Sequence, residues 1–247
     1  MNAIRYEWRR INSVRATWIL TGTALALAVI AGLGTLLAGV TIHGVAINGQ
    51  QVRTLAGIVN GYIPAGLLLL SILGAQAFGQ EYRYGTIRPT VQAFPRRGQL
   101  LGAKMAMIAL VTAITAAVSA VAVSLIAAAG FRSHLHGPVL EPTQLRAVGF
   151  GVLYLAVVAA LAVALSAVTR STVLAVVLIY AWAFAAEPLI RLATRAASDY
   201  LPFGAAGHLM TPADGRVLLH AAVFIGELAL VAAAAGWLFG RRDITAK

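Results

Sequence analysis

Residues 105–129 read MAMIALVTAITAAVSAVAVSLIAAA, a stretch without a charged side chain. As a helix, ~20 apolar residues are enough to cross the ~30 Å hydrocarbon core of a bilayer. Similar runs recur along nearly the whole chain. The composition agrees, because 60% of the 247 residues are hydrophobic, 11% are charged and the mean hydropathy is +0.84. We therefore expect an all-α integral membrane protein rather than a soluble domain.

Six spans result when the apolar runs are divided at charged and turn-forming residues. They cover residues 17–40, 55–78, 105–129, 145–168, 172–186 and 217–239. Arg170 marks the turn between the fourth and fifth spans, which together are about twice as long as the hydrocarbon is thick. Since the spans recur along the whole chain, residues 1–247 are predicted to form one transmembrane domain.

Basic residues are unevenly divided between the two sides of this arrangement. Six spans put both termini on one side, which would hold thirteen of the nineteen Lys and Arg residues. Because basic loops remain in the cytoplasm, we expect a multi-pass protein of the plasma (inner) membrane with both termini cytoplasmic. The net charge of +11 does not indicate nucleic-acid binding, since the basic residues cluster between apolar runs.

Two segments outside the spans are also predicted to be helical. Near the N-terminus, Ile4, Trp8 and Ile11 share one helical arc, which is typical of an interfacial helix; a plain basic flank that sets orientation is the alternative. The connection over residues 187–216 is too long and too apolar for a free loop, and Pro188 takes a helix-opening position. It is predicted to form an amphipathic or re-entrant outer helix.

No catalytic motif is evident in the chain. The nearest string to a P-loop, GQLLGAK, has the wrong spacing and lacks the Gly-Lys-Ser/Thr ending. There is no GxSxG motif and no cysteine. His134 and His136 are close enough to share a metal ion, but Glu141 is the one nearby carboxylate and an ordinary outer loop is favoured. We therefore expect neither an enzyme nor a metal or cofactor site in this chain.

Polar side chains within the predicted spans are candidates for a translocation path. An acidic group at mid-span costs ~2.5 to 3.5 kcal/mol on insertion scales, so Glu227 should be protonated, partnered or in a wet cavity. Glu187 poses a similar question at the end of the short fifth span, and His220 lies two turns before Glu227. The remaining candidates share one face of span three, namely Thr112, Thr115 and Ser119. Helix packing is the alternative role for all of them, as it is for glycines such as Gly74.

The loop between spans two and three is the most basic internal loop, and residues 79–104 read GQEYRYGTIRPTVQAFPRRGQLLGAK. This stretch resembles the cytoplasmic loop of ABC-type exporter permeases of the type 2 family, the membrane subunits of two-component drug and lipid exporters. The residues that carry the resemblance are, in order, Glu81, Gly85, Thr86, Pro95, Arg96 and Lys104. An Arg-Ser-Thr turn at 170–172, an LPFGA string from Leu201 and a final FGRRDI extend it over nearly the full chain.

The resemblance implies that the loop forms a short coupling helix seated on a separate cytosolic ABC ATPase subunit, which would bind ATP and Mg²⁺. The implied contact residues are Glu81, Tyr82, Arg83, Tyr84, Gly85, Thr86, Ile87 and Arg88. A chain without a nucleotide site must receive work through contact, and a short helix transmits displacement better than a loose loop. Alternatively, the arginines only bind anionic headgroups and enforce topology. Pro89 disfavours a helical Arg88, so the coupling helix is expected to be short or to begin again at Pro89.

The resemblance further implies pairing with a second copy or a homologous permease, surrounded by membrane lipids. The expected function is ATP-driven export of an amphipathic drug, lipid or peptide-like substrate. A competing hypothesis is an ion- or proton-coupled secondary carrier in which Glu227 titrates. A third is a scaffold or immunity subunit that captures hydrophobic peptides. The first and third hypotheses require an ATPase partner, whereas the carrier does not.

Overall fold

The computed structural model describes residues 3–41, 62–130, 142–194, 200–210 and 215–241. These ranges are helical and contain no strand. The helices are α1 (Ala3–Ser13), α2 (Arg15–Thr41), α3 (Ile63–Arg83), α4 (Ile87–Ala93), α5 (Arg97–Gly130), α6 (Pro142–Thr169), α7 (Thr172–Ala181), α8 (Glu187–Ala193), α9 (Pro202–Leu209) and α10 (Val217–Arg241). A π-helical turn, Trp182–Ala186, joins α7 to α8.

Six helical segments among the described residues are long and apolar enough to cross a membrane. They are α2, α3, α5, α6, the continuous segment from α7 through α8, and α10. The predicted all-α, six-span fold is therefore confirmed, although several of the predicted bounds differ. α5 begins at Arg97 rather than 105, and α3 ends at Arg83 rather than 78, because both helices continue beyond their apolar runs into polar sequence. The predicted start of span two, over residues 55–61, lies outside the described residues.

The fifth span is longer than predicted, because it does not end at residue 186. Pro188 is the second residue of α8 and follows directly after the π-helical turn, so the helix continues to Ala193 instead of opening anew. Proline has no N–H and its ring crowds the carbonyl group four residues earlier. The wider π-helical turn relieves this conflict while the chain stays helical. α9 then forms a separate short helix that packs against α10.

α3 and α6 form the most buried pair of spans. Their backbones approach so closely that a Cβ atom at Gly74 would collide with the carbonyl oxygen of Ala159. α10 and the segment from α7 through α8 are largely exposed, and their outer surfaces carry apolar side chains such as Leu218, Leu230 and Val173. This inverted exposure is expected in lipid, where small residues allow helices to pack and apolar side chains face hydrocarbon.

One end of the bundle collects α1, the turn after α3, α4, the turn between α6 and α7, and the last turn of α10. We call it the basic end. Its exposed arginines are Arg5, Arg9, Arg15, Arg83, Arg88, Arg96, Arg170 and Arg241. The Arg97 guanidinium donates to the carbonyl oxygens of Phe239 and Gly240 at 3.4 and 3.3 Å, which joins α5 to the end of α10. α5 therefore contacts both α1 and α10.

Candidate functional site

The predicted coupling segment comprises the end of α3, a turn and the start of α4. The turn is closed by two backbone hydrogen bonds, from the Tyr84 N–H to the Gln80 carbonyl group at 2.9 Å and from the Gly85 N–H to the Tyr82 carbonyl group at 3.3 Å. Gly85 adopts φ +69°, a left-handed conformation that glycine takes without steric cost. The backbone therefore breaks at the turn and not at the proline that follows it.

A short helix, α4, follows the turn. It begins at Ile87, two residues before the predicted restart at Pro89. Pro89 is tolerated because the first N–H groups of a helix have no partner within it. Buried Ile87 anchors the helix, and the Phe94 ring at its C-terminal end lies 5.3 Å from the Tyr6 ring of α1. α4 is thereby held against the N-terminal helix.

The eight predicted contact residues fall into two groups by exposure. Arg83, Tyr84, Gly85, Thr86 and Arg88 are exposed, and we call these five residues the docking turn. Glu81 and Ile87 are buried, whereas Tyr82 is half-buried and donates its hydroxyl to the Ala167 carbonyl group at 3.2 Å. The two arginines and Tyr84 therefore lie on the protein surface, whereas the Glu81 side chain is buried in the interior.

Glu81 belongs to a buried group of charges centred on Lys104 of α5. The Lys104 ammonium nitrogen lies 2.6 Å from Glu81 Oε1 and 2.8 Å from Glu7 Oε1 of α1. It also donates to the carbonyl group of Ala77 at 3.2 Å. Arg10 completes the group, since its Nε donates to Glu7 Oε2 at 2.7 Å. We call Glu7, Arg10, Glu81 and Lys104 the charge cluster.

The charge cluster is electrically balanced, with two acidic and two basic side chains. Taking charges out of water is costly, so removal of one partner of a buried pair typically costs ~3 to 5 kcal/mol. The pairs cross between elements: Glu7 lies on α1, Glu81 on α3 and Lys104 on α5. The cluster therefore fixes the positions of these three helices relative to one another, immediately behind the docking turn.

Glu7 is the functional candidate that the sequence analysis missed. The predicted apolar arc of α1 divides in the structure, because Ile4 and Trp8 are about half exposed whereas Ile11 is buried together with Glu7. Glu7 and Ile11 are four residues apart and thus share a face of the helix. The sequence carries one signal for the role of Glu7. It is the one acidic residue in a helix whose other charged residues are basic, and it lies on the same helical face as Ile11.

Glu187, which was predicted as a residue of the translocation path, caps the N-terminus of α9 with its carboxylate. It is buried, and its carboxylate accepts from the Trp182 Nε1–H at 3.1 Å and from the backbone N–H groups of Phe203 and Gly204 at 2.9 and 2.8 Å. The two backbone groups belong to the first turn of α9, where N–H groups have no partner within the helix and negative charge is favoured. Glu187 therefore fixes α9 against the end of the fifth span.

The other path candidates are distributed over α5 and α10. Thr112 and Ser119 are buried, while Thr115 is half-buried and donates to the carbonyl group of its own helix at Val111, at 2.9 Å. His220 is buried and stacks on His208 of α9 with ring centroids 4.7 Å apart. Glu227 is half-buried on α10. These contacts connect α9 to α10 and do not join Glu227 to His220.

The histidines of the predicted outer loop are the candidate metal ligands in this sequence. His134, His136 and Glu141 lie outside the described residues. Among the residues that the structure does describe, no group of three or more His, Asp or Glu side chains could hold a metal ion.

Comparison with known proteins agrees with the geometry. A family model described as ABC-2 family transporter protein matches residues 3–186, about three-quarters of the chain. The match includes the first five predicted spans, the docking turn and all of the charge cluster. Comparison with curated proteins gives no match. The chain therefore belongs to the ABC-2 family of transporter proteins, as a multi-pass membrane permease.

Proposed function

We propose that this chain is the membrane subunit of an ATP-driven exporter that moves an amphipathic drug, lipid or peptide-like substrate outward. ATP hydrolysis would occur on a separate cytosolic ABC ATPase subunit. Family membership supports a transport role. The observation that carries the proposal is the charge cluster, which ties the helix that leads into the docking turn to two other helices of the permease.

The basic end would face the cytoplasm of the plasma (inner) membrane. Eight exposed arginines lie there, and basic segments are retained on the cytoplasmic side. Both ends of the chain would then be cytoplasmic, since α1 and the last turn of α10 lie at this end. The same orientation puts the docking turn where a soluble ATPase can reach it.

The ATPase would bind the docking turn. Tyr84 is exposed and can enter a pocket of a partner, while Arg83 and Arg88 can orient it by charge. Ile87 would hold α4 to the permease from the inside. Glu81 would act from behind the surface, because its carboxylate is already bound to Lys104.

Movement of the docking turn would be transmitted through packed helices. Close-packed interiors switch between discrete arrangements rather than deform continuously, so a displacement of the end of α3 must be shared by its buried partners. Lys104 would transmit the displacement of α3 to α5, and Glu7 would transmit it to α1. In this way an ATPase could select between two permease conformations without any nucleotide site in this chain. A second copy or a homologous permease would complete the complex.

The test uses the complex of permease and ATPase purified from native membranes and reconstituted in liposomes. Tyr84→Ala/Arg88→Glu should abolish substrate-stimulated ATP hydrolysis or release the ATPase, while the permease elutes as a folded species. Arg9→Glu is the matched control, because Arg9 is exposed at the same end but lies outside the docking turn. Undiminished stimulation in the double variant would refute the assignment of the docking turn.

A further inference from the structure

A cavity of about 440 Å³ lies at the basic end, between the end of α3 and the turn from α6 to α7. Ligand pockets typically enclose ~300 to 1,000 Å³. Its polar lining comes from Tyr82, Arg83, Arg170, Ser171 and Thr172. None of the described residues that line it is acidic, so the cavity combines two guanidinium groups with hydroxyl groups.

Arg170 is held in place by the turn that it terminates. Its φ of +56° is left-handed, and its N–H donates to the Ser166 carbonyl group at 3.0 Å, which closes the end of α6. The Arg170 guanidinium lies 5.8 Å from the centre of the Tyr82 ring. Tyr82 is itself fixed by its hydrogen bond to Ala167. Arg170 and Tyr82 are therefore held in position along one wall of the cavity before a ligand binds.

The opposite wall is the beginning of α7. Ser171 caps this helix by accepting from the Leu174 N–H at 3.3 Å. α3 approaches so closely that a Cβ atom at Gly79 would collide with the Thr172 hydroxyl. The first turn of a helix carries N–H groups without helical partners and a partial positive charge, and both add to the arginines in favouring an anion.

The cavity also borders the lipid-facing surface of the protein. Val173, one of its lining residues, is 71% exposed, and Val177 on the same face one turn later is 53% exposed. An exposed apolar strip thus runs from the arginines along α7 in the direction of the hydrocarbon. The complementary ligand has an anionic head and an apolar chain.

We propose that this cavity binds the phosphate group of an anionic phospholipid in the leaflet at the basic end, with one acyl chain along Val173 and Val177. Guanidinium groups bind phosphate oxygens in pairs of charge-assisted hydrogen bonds. Anionic lipids are abundant in the cytoplasmic leaflet, to which the basic end is assigned. Free phosphate or an acidic side chain of a protein would leave the apolar strip without an occupant.

Binding of this lipid requires neither the ATPase nor transport, so its test is independent of the proposed function. Tritiated dioleoylphosphatidylglycerol is titrated into the delipidated full-length chain in neutral detergent, with tritiated dioleoylphosphatidylcholine as the uncharged comparison. We expect saturable binding of one phosphatidylglycerol per chain, at least ~10-fold tighter than that of phosphatidylcholine, because charge-assisted bonds supply the difference.

Variants then locate the site. Arg83→Gln/Arg170→Gln should weaken phosphatidylglycerol binding at least ~10-fold, and Arg83→Gln alone serves if the double variant does not fold. Arg9→Gln/Arg96→Gln removes the same charge from exposed positions outside the cavity and should change the affinity less than ~2-fold. An equal loss in this control, or no saturable site at all, would overturn the proposal.

Two further measurements distinguish a lipid from other anions. Val173→Asn/Val177→Asn leaves the arginines intact and should weaken phosphatidylglycerol binding by removing the apolar strip. Inorganic phosphate at millimolar concentration should not displace the lipid. Displacement by phosphate, or undiminished binding to the valine variant, would show a site for the headgroup alone and refute the assignment to a phospholipid.

Discussion

Lys104 and Glu81 form a buried ion pair, 2.6 Å between Nζ and Oε1, that joins α5 to α3 directly behind the docking turn. Lys104→Met would leave the buried Glu81 carboxylate without its cation and would leave Glu7 paired with Arg10 alone. We expect a loss of ~3 to 5 kcal/mol in the free energy of unfolding. It would be measured as a lower midpoint of thermal unfolding of the purified chain in detergent.

The control for this prediction removes the charges together. Glu7→Gln/Glu81→Gln/Lys104→Met leaves no uncompensated charge in the interior, and Arg10 is partly exposed and can reach solvent. We expect this triple variant to regain most of the stability that Lys104→Met loses, since neutral replacements of buried ion pairs are often tolerated. A single Lys104→Met variant as stable as the unmodified chain would show that the cluster does not stabilise the bundle.

Glu187 should be required for the position of α9. Glu187→Ala removes the acceptor of the half-buried Phe203 N–H and the buried Gly204 N–H, and leaving them without this acceptor should cost ~1 to 3 kcal/mol. Hydrogen–deuterium exchange at these two amides should accelerate. Glu187→Gln should be milder because the side-chain oxygen is kept. Equal protection of both amides in the alanine variant would contradict the capping role.

Gly74 should tolerate no side chain, because α3 and α6 meet at its Cα. Gly74→Ala would force the helices apart and should cost ~1 to 3 kcal/mol, the usual range for overpacking. Gly102→Ala is the matched control: Gly102 is also helical, but a Cβ atom there meets nothing within 4 Å. It should be neutral or stabilise by up to ~1 kcal/mol. Equal thermal midpoints of the two variants would exclude the close approach.

The source of energy separates the exporter from the carrier hypothesis. Transport by the reconstituted complex should require ATP and persist when a protonophore collapses the proton gradient, both in the unmodified complex and in Glu227→Gln. The physical reason is that work enters through the docking turn and not through titration of Glu227. Substrate uptake by the isolated chain under a proton gradient, abolished by Glu227→Gln, would establish the carrier instead.

Local sequence pattern determined the all-α class, the six spans and the turn at Arg170. Hydropathy and turn residues act over a few helical turns, so they can be read without knowing the neighbours of a segment. The resemblance around residues 81–104 was equally local, and the family match over residues 3–186 bears it out. Pro89 predicted a short helix or a restart at Pro89, whereas α4 begins at Ile87 and the backbone breaks at Gly85.

Only the tertiary structure decided the partners of the polar side chains. Glu7 pairs with Lys104, and Glu187 caps α9, because helices distant in the chain are rotated so that these groups face one another. Such rotation depends on packing between helices, which the periodicity of a single helix does not encode. The continuation of span five past Pro188 likewise became visible only in the structure, because the π-helical turn Trp182–Ala186 that accommodates the proline has no signal in the hydropathy pattern of the span.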